Sequence, residues 1–305
     1  MKETLLCCRI TAQEKGLYRL CHDGVEQAAQ VSGKFQYEAL GPSDYPTVGD
    51  EVLADLNGGG QAVIHKVLPR KSLFLRKAAG TAREEQPVAA NVDILFLCMA
   101  LNNDFNLRRL ERYLAAAWNS GATPVVVLTK ADLCGNPSEK VAAVEEAAPG
   151  TDVLLTSAAQ EDGIRPLLPY LTPGRTVAFV GSSGVGKSTL MNGLLGKEIL
   201  ATGGLRNDDR GRHTTTRRQM FFLPGGAALI DTPGMRELGL WDSESGLETA
   251  FADIEALARQ CRFQDCRHEK EPGCAVRAAL ASGELSEERF RSWQRLSAEN
   301  RYVDD

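Results

Sequence analysis

From about residue 88 the chain alternates two kinds of apolar pattern. Val92–Ala100, Thr123–Leu128, Val153–Leu155 and Thr176–Val180 are short, nearly continuous apolar runs. Strands buried on both faces of a parallel sheet read this way. Between them, Leu107, Leu110, Leu114 and Trp118 recur at helical spacing, and Glu139–Ala148 follows the start signal Pro137-Ser138. A further helix carries Leu190, Met191, Leu194 and Leu195 and stops at Gly196. The alternation predicts an α/β layer architecture.

The two ends of the chain read differently. Short extended segments (Leu5–Ile10, Gly16–Leu20, Lys34–Ala39, Glu51–Leu56, Ala62–Val67) are separated by His22-Asp23-Gly24, Gly41-Pro42-Ser43-Asp44 and Asn57-Gly58-Gly59-Gly60. Strands of this length, ~10 residues apart, predict a small barrel or sandwich. The basic run Pro69-Arg70-Lys71, then Arg76-Lys77, closes the region; it reads either as a solvated linker or as a phosphate contact. Beyond about Met235 the pattern becomes helical, over Leu247–Arg259, Ala275–Ser282 (ended by Gly283) and Glu287–Asn300.

A length of 305 residues corresponds to two or three domains at ~150 residues each. With 43% hydrophobic and 25% charged residues the chain can bury a core. A net charge of −5 argues against a general coat for phosphate backbones. The acidity is localised: residues 241–305 hold 9 basic and 14 acidic groups, and the first 240 hold 26 of each. No apolar run approaches the ~18 residues of a membrane span, and the first residues lack the features of a signal peptide. These points predict a cytoplasmic protein with reduced thiols and no membrane partner.

Chemistry enters with Gly181-Ser182-Ser183-Gly184-Val185-Gly186-Lys187-Ser188, a full match to G-x-x-x-x-G-K-[ST] placed between a strand and a helix. Glycines let backbone N–H groups curl around phosphate oxygens at a helix N-terminus. Lys187 is expected to reach the terminal phosphates and Ser188 to ligate Mg²⁺, with Thr189 completing the nucleotide-contacting set. Ile230-Asp231-Thr232-Pro233-Gly234 ends the apolar strand AALI and fits D-x-x-G: Asp231 is expected to hold Mg²⁺ through water and Gly234 to sense the γ-phosphate. Thr129-Lys130-Ala131-Asp132 resembles N-K-x-D, in which the Asp132 carboxylate accepts from guanine N1–H and N2–H₂. Ser157-Ala158 resembles the segment that backs the base. Thr129 stands where most such proteins carry Asn, so discrimination would rest on Asp132.

The order is unusual. The base-reading segments (129–132, 157–158) precede the phosphate loop (181–188), which precedes D-T-P-G (231–234): a circular permutation. Further along, Cys261-x₄-Cys266-x-His268-x₅-Cys274 gathers three thiols and one imidazole. The set suits a closed structural Zn²⁺ site, the other reading being reduced thiols packed in a helical subdomain. Around it Arg259, Arg262, Arg267, Lys270, Arg277, Arg289, Arg291 and Arg295 form either a solvated face or an RNA contact.

Taken with Gly211-Arg212-His213-Thr214-Thr215-Thr216, these motifs resemble the ribosome small-subunit-dependent GTPase A family over essentially the whole length. The resemblance implies an α/β P-loop GTPase domain, circularly permuted (78–236), an OB-fold β-barrel before it (1–77) and a small helical zinc domain after it (237–305). It implies Zn²⁺ on Cys261, Cys266, His268 and Cys274. It also implies GTP, GDP, the small (30S) ribosomal subunit and 16S rRNA as partners of a monomer whose GTPase activity the subunit stimulates late in its assembly. By the family pattern Thr215 completes the Mg²⁺ set with Ser188 and Asp231, with Thr214 and Thr216 as rivals. Met235 cannot orient water as a glutamine does, so either the partner supplies a group or His213 positions the attacking water. Two other classes stay open: a nucleotide-dependent small-molecule kinase, and a nucleic-acid-binding module that the nucleotide merely stabilises.

Overall fold

A computed structural model of the protein describes residues 5–14, 16–56, 60–77, 85–200, 218–231 and 244–301. Five N-terminal strands, β1 (Leu6–Glu14), β2 (Leu17–His22), β3 (Val25–Val31), β4 (Glu51–Asp55) and β5 (Ala62–Val67), close into a barrel. β1 pairs with β2 and β4, β2 with β3, β4 with β5, and β3 runs parallel to β5. Inward and outward side chains alternate except at the register shift in β1, where Ile10, Thr11 and Ala12 are all buried, and Ile10, Leu20, Ala54 and Ile64 have no exposed surface. The β2–β3 turn has positive φ at Asp23 and Gly24, the geometry that lets a two-residue hairpin follow strand twist.

Residues 34–39 are not a strand. Residues 34–38 lie in α1 (Gly33–Glu38), which Ala39 ends and whose start is capped by the Ser32 hydroxyl accepting the Phe35 N–H at 3.0 Å. Alternation of Phe35 and Tyr37 with polar residues imitates period two. In a helix these positions diverge, so Phe35 packs edge-on against Tyr45 under the barrel while Tyr37 is exposed.

A hairpin of β6 (Leu73–Lys77) and β7 (Glu85–Ala90), which the pattern does not predict, leaves the barrel. The basic run ahead of it is not a free linker at Arg70. That guanidinium grips the fully buried Asp50 through two bonds of 2.8 and 2.7 Å and donates to the Ser43 and Tyr45 carbonyls. Neither reading of the run holds at this residue.

Next come β8 (Ile94–Ala100), α2 (Leu107–Ser120), β9 (Thr123–Thr129), α3 (Pro137–Ala147), β10 (Asp152–Leu155), β11 (Thr176–Val180), α4 (Lys187–Leu195), β12 (Arg218–Phe222) and β13 (Ala228–Asp231). The sheet order is β10-β9-β8-β11-β13-β12, parallel except for β12. β11 lies at its centre, so the loop leaving its carboxyl end sits at the crevice where such sheets bind ligands. All seven residues of β8 and all five of β11 are buried.

β12, also unpredicted, joins the two sheets: Ala12 and Gln13 of β1 pair with Gln219 and Arg218. Arg218 is buried and donates to the Pro87 carbonyl at 2.6 Å. The sheet edge is therefore occupied by the chain's own barrel, which leaves no open ladder there.

The C-terminal helices are α5 (Glu244–Ala250), α6 (Ala252–Ala258), α7 (Ala275–Ser282) and α8 (Glu287–Arg301). The predicted helix 247–259 is broken at Phe251, whose φ of −118° ends one helix and whose fully buried ring starts the next. Their apolar faces join one continuous core with α2 and one face of the sheet, including Leu114, Leu247, Phe251, Ile254, Val276 and Phe290. α5 approaches α2 so closely that a Cβ at Gly246 would lie 1.6 Å from the Asn119 side chain. Arg289 fastens the seam: it bonds Asp253 at 2.6 and 2.7 Å, Glu111 at 3.2 Å and the Ala147 and Ala250 carbonyls, and covers the Phe251 ring at 4.7 Å. Burial pushes the Glu111 carboxyl upward, opposed by Ser292 and Arg289. Arg289 is thus a structural ion-pair residue and not part of a basic surface; Arg259, Arg262, Arg267, Lys270, Arg277, Arg291 and Arg295 are exposed.

Candidate nucleotide site and metal centre

The phosphate loop is curled by its own bonds. Gly181 follows β11 with φ 153°, and a Cβ there would lie 2.3 Å from the Cys98 carbonyl of the neighbouring strand; only glycine fits. Gly184 and Gly186 take φ of 74° and 107° before α4 begins at Lys187. The Lys187 ammonium donates to the Gly181 and Ser182 carbonyls at 2.7 and 2.8 Å, which bends the loop back over the helix N-terminus. Val185 is buried, anchoring the loop to the core, while Ser183, Gly184 and Thr189 are exposed and Ser188 is half-buried. Asp231 ends β13, the other neighbour of β11. Burial raises its carboxyl and the Lys187 charge partly offsets this, so the two groups share one electrostatic environment.

Segments 129–132 and 157–158 meet the loop from the opposite side. Thr129 ends β9, and its hydroxyl donates to the Val185 carbonyl at 2.6 Å. Lys130 has φ 57° and sends its ammonium to the Gly184 carbonyl at 2.7 Å. A left-handed lysine is strained and persists where such tethers over-determine it. The turn brings the exposed Asp132 to Ser157, whose hydroxyl donates to Oδ1 at 2.5 Å. Ser157 is held by its N–H to the Gly163 carbonyl at 3.0 Å, and a Cβ at Gly163 would lie 1.8 Å from the Ser157 carbonyl. Ala158 is exposed beside it, and Ala131 donates to the Thr156 carbonyl at 3.1 Å.

The structure thus gathers Gly181–Ser188, Asp231, Thr129–Asp132 and Ser157 at the carboxyl ends of β11, β13, β9 and β10. Thr129 spends its hydroxyl on the phosphate loop, and Asp132 remains the exposed carboxylate of the set. Gly234, His213, Met235 and Thr215, with its rivals Thr214 and Thr216, lie outside the described residues. Two contacts escaped sequence reasoning. The Lys130–Gly184 tether has no motif of its own. Asp104, which accepts from the Ser182 hydroxyl, follows β8, and its place beyond the strand next to β11 is the signal that could have found it.

The cysteine cluster also assembles. Ligand atoms of Cys261, Cys266, His268 and Cys274 all lie within 4.8 Å of one another. Cys261 Sγ and Cys274 Sγ are 3.8 Å apart, and His268 Nδ1 is 3.6 and 3.4 Å from them. Tetrahedral bonds of ~2.3 Å to sulfur and ~2.0 Å to nitrogen give sulfur–sulfur and sulfur–nitrogen separations of about 3.8 and 3.5 Å. Three of the four atoms are thus spaced as a small tetrahedral cation requires, and Cys266 Sγ lies within 4.8 Å of each of them. His268 reaches it from a left-handed backbone (φ 61°), and burial favours its neutral, ligating imidazole. Its ring lies 5.5 Å from Trp293 of α8, which ties the loop to the helical core.

The sheet order and the loops gathered on it define a circularly permuted P-loop GTPase fold. A family model described as RsgA GTPase matches residues 67–241. The chain is 50% identical over 295 residues to "Small ribosomal subunit biogenesis GTPase RsgA 2" of Lactiplantibacillus plantarum, covering 96% of this chain and 83% of that one. It is 46% identical over 300 residues to "Small ribosomal subunit biogenesis GTPase RsgA" of Methanosarcina acetivorans, covering 98% and 80%. The crystal structure of YjeQ from Thermotoga maritima superposes with a TM-score of 0.72 at 27% identity, covering 97% of this chain and 99% of that one. The crystal structure of YloQ, titled a circularly permuted GTPase, shares the fold with a TM-score of 0.70 at 23% identity, covering 98% and 96%. The chain belongs to the RsgA GTPase family.

Proposed function

We propose that the protein hydrolyses GTP to GDP and phosphate in the biogenesis of the small ribosomal subunit. One observation supports guanine in particular: Asp132, paired with Ser157, is held against the phosphate loop by the Thr129–Val185 and Lys130–Gly184 bonds. A base seated on Asp132 and a triphosphate in Gly181–Ser188 then belong to one ligand. A carboxylate facing the base accepts from guanine N1–H and N2–H₂; adenine leaves it unpaired, a mismatch that costs a factor of about 10⁴ in comparable sites.

In this reading Lys187 exchanges its carbonyl partners for phosphate oxygens, and the N–H groups of the loop take up the charge that develops as water attacks the γ-phosphorus. Ser188, Thr215 and, through water, Asp231 would hold Mg²⁺, which would supply charge neutralisation at the phosphates. His213 positions the attacking water, since Met235 offers no hydrogen bond. Cys261, Cys266, His268 and Cys274 hold one structural Zn²⁺; a closed four-ligand set leaves no position for a substrate.

The ribosomal part of the reading rests on the names of the relatives. The barrel (1–77) and the zinc-holding segment (237–305), the latter with its exposed arginines, contact 16S rRNA in the 30S subunit. The GTPase unit (78–236) times release. The protein acts as a monomer in the cytoplasm; among the described residues no helix is long and apolar enough to cross a membrane. Nucleotide titration tests the guanine assignment: GTP binds and ATP does not compete, and Asp132→Asn shifts preference toward xanthosine triphosphate. Equal binding of ATP and GTP, with Asp132→Asn unchanged, would refute it.

A further inference from the structure

The segment between β8 and α2 lies against the phosphate loop and belongs to none of the recognised GTPase motifs. Its carboxylate, Asp104, accepts a hydrogen bond from the Ser182 hydroxyl. Ser182 is the second residue of the loop, and its carbonyl takes the Lys187 ammonium at 2.8 Å. One residue of the loop is thus held from two sides, by Asp104 through its side chain and by Lys187 through its backbone.

Arg109, in the first turn of α2, pairs with Asp104 Oδ2 at 2.9 Å and also donates to the Asp104 carbonyl. The segment that presents the pair is well tied. Asn102 Oδ1 accepts the Asp104 N–H at 3.0 Å, and Asn106 caps α2 by accepting the Arg109 N–H at 3.0 Å. Lys140 donates to the Leu101 carbonyl at 3.0 Å and covers the Phe105 ring at 5.2 Å.

This arrangement has an electrostatic cost. A carboxylate sits directly behind a cradle built to receive a polyphosphate, and uncancelled it would repel that ligand. Arg109 is the cation placed on it.

We propose that Asp104 and Arg109 are positioning residues for the triphosphate. Asp104 pins Ser182 so that the phosphate loop keeps its curl, and Arg109 cancels the charge that this pin would otherwise direct at the phosphates. The proposal rests on Gly181–Ser188 being the phosphate site.

Titration of the full chain with N-methylanthraniloyl-GTP and N-methylanthraniloyl-GDP in Mg²⁺ tests it. Arg109→Ala weakens GTP binding about five- to tenfold and GDP binding less, because the diphosphate carries less charge. The defect shrinks as salt rises. Asp104→Asn keeps an oxygen acceptor for Ser182 and loses the charge, so it binds at least as tightly as the unaltered chain. The double variant Asp104→Asn/Arg109→Ala returns to within about twofold of it.

Unchanged binding by Arg109→Ala overturns the proposal while leaving the nucleotide site standing. So does a defect that Asp104→Asn fails to rescue, since Arg109 would then only support α2. An unaltered chain that binds neither nucleotide overturns the nucleotide reading and this proposal together.

Discussion

The nucleotide site and the cysteine cluster are held together by opposite means. At the nucleotide site the chain binds itself: Lys187 to Gly181 and Ser182, Thr129 to Val185, Lys130 to Gly184, Asp132 to Ser157. Phosphate and base would replace or extend bonds that already exist. At the cysteine cluster the groups that face one another are the candidate ligands themselves, three thiols and an imidazole. A pre-bonded site can lose its ligand and keep its shape, whereas a site made of ligands alone depends on the ion for the fold around it. The two sites should therefore fail differently: one in function, the other in stability.

The largest effect is expected at the metal. Structural Zn²⁺ sites carry on the order of 10 kcal/mol of binding free energy. Chelation, or Cys266→Ser, is expected to release about one Zn²⁺ per chain and to expose the 261–274 loop to protease, while nucleotide affinity changes little. Metal analysis with limited proteolysis checks this; a metal-free chain with the loop still protected would erase the contrast.

Next is the seam between α8 and α2. Arg289 is 7% exposed and Glu111 5%, so Arg289→Ala strands a buried carboxylate, and breaking such a pair costs about 3–5 kcal/mol. Urea unfolding should register that loss. If instead it registered less than ~1 kcal/mol, the buried network would not be what joins the helices to the sheet.

The smallest effect distinguishes the sites by pH. Burial raises the Asp231 carboxyl above the ordinary carboxylate value. The folded chain then holds that proton more tightly than the unfolded one. Asp231 thus favours folding in acid, and this contribution fades as pH rises from the ordinary carboxylate range through the raised value. Mg²⁺ needs the ionised form, so Mg²⁺-dependent nucleotide binding weakens on acidification sooner than for an unperturbed aspartate. Nucleotide titration across pH 4–7 reads this; Asp231→Asn should flatten the profile.

Particular residues show what was legible in the sequence. The parallel strands were, because burial on both faces leaves unbroken runs such as TVAFV at 176–180. So was the phosphate loop, whose glycines are demanded by backbone geometry. Short amphipathic elements were not: Phe35 and Tyr37 imitate a strand until the Ser32 cap decides for a helix, and β12 hides at the end of a segment rich in Gly, Arg and Thr. Charge was the least legible quantity. Arg70, Arg218 and Arg289 read as basic surface or went unremarked, yet each is spent on a partner distant in the chain. Asp104 was silent for the same reason: its partner Ser182 lies 78 positions away.

Whether a guanine nucleotide switch here serves the small ribosomal subunit is read in one assay: GTP hydrolysis by the purified chain with and without purified 30S subunits, with Lys187→Ala as the inactive control. The subunits are expected to accelerate hydrolysis at least about tenfold, and not in Lys187→Ala. A rate that saturating subunits leave unchanged would rule out the ribosomal role.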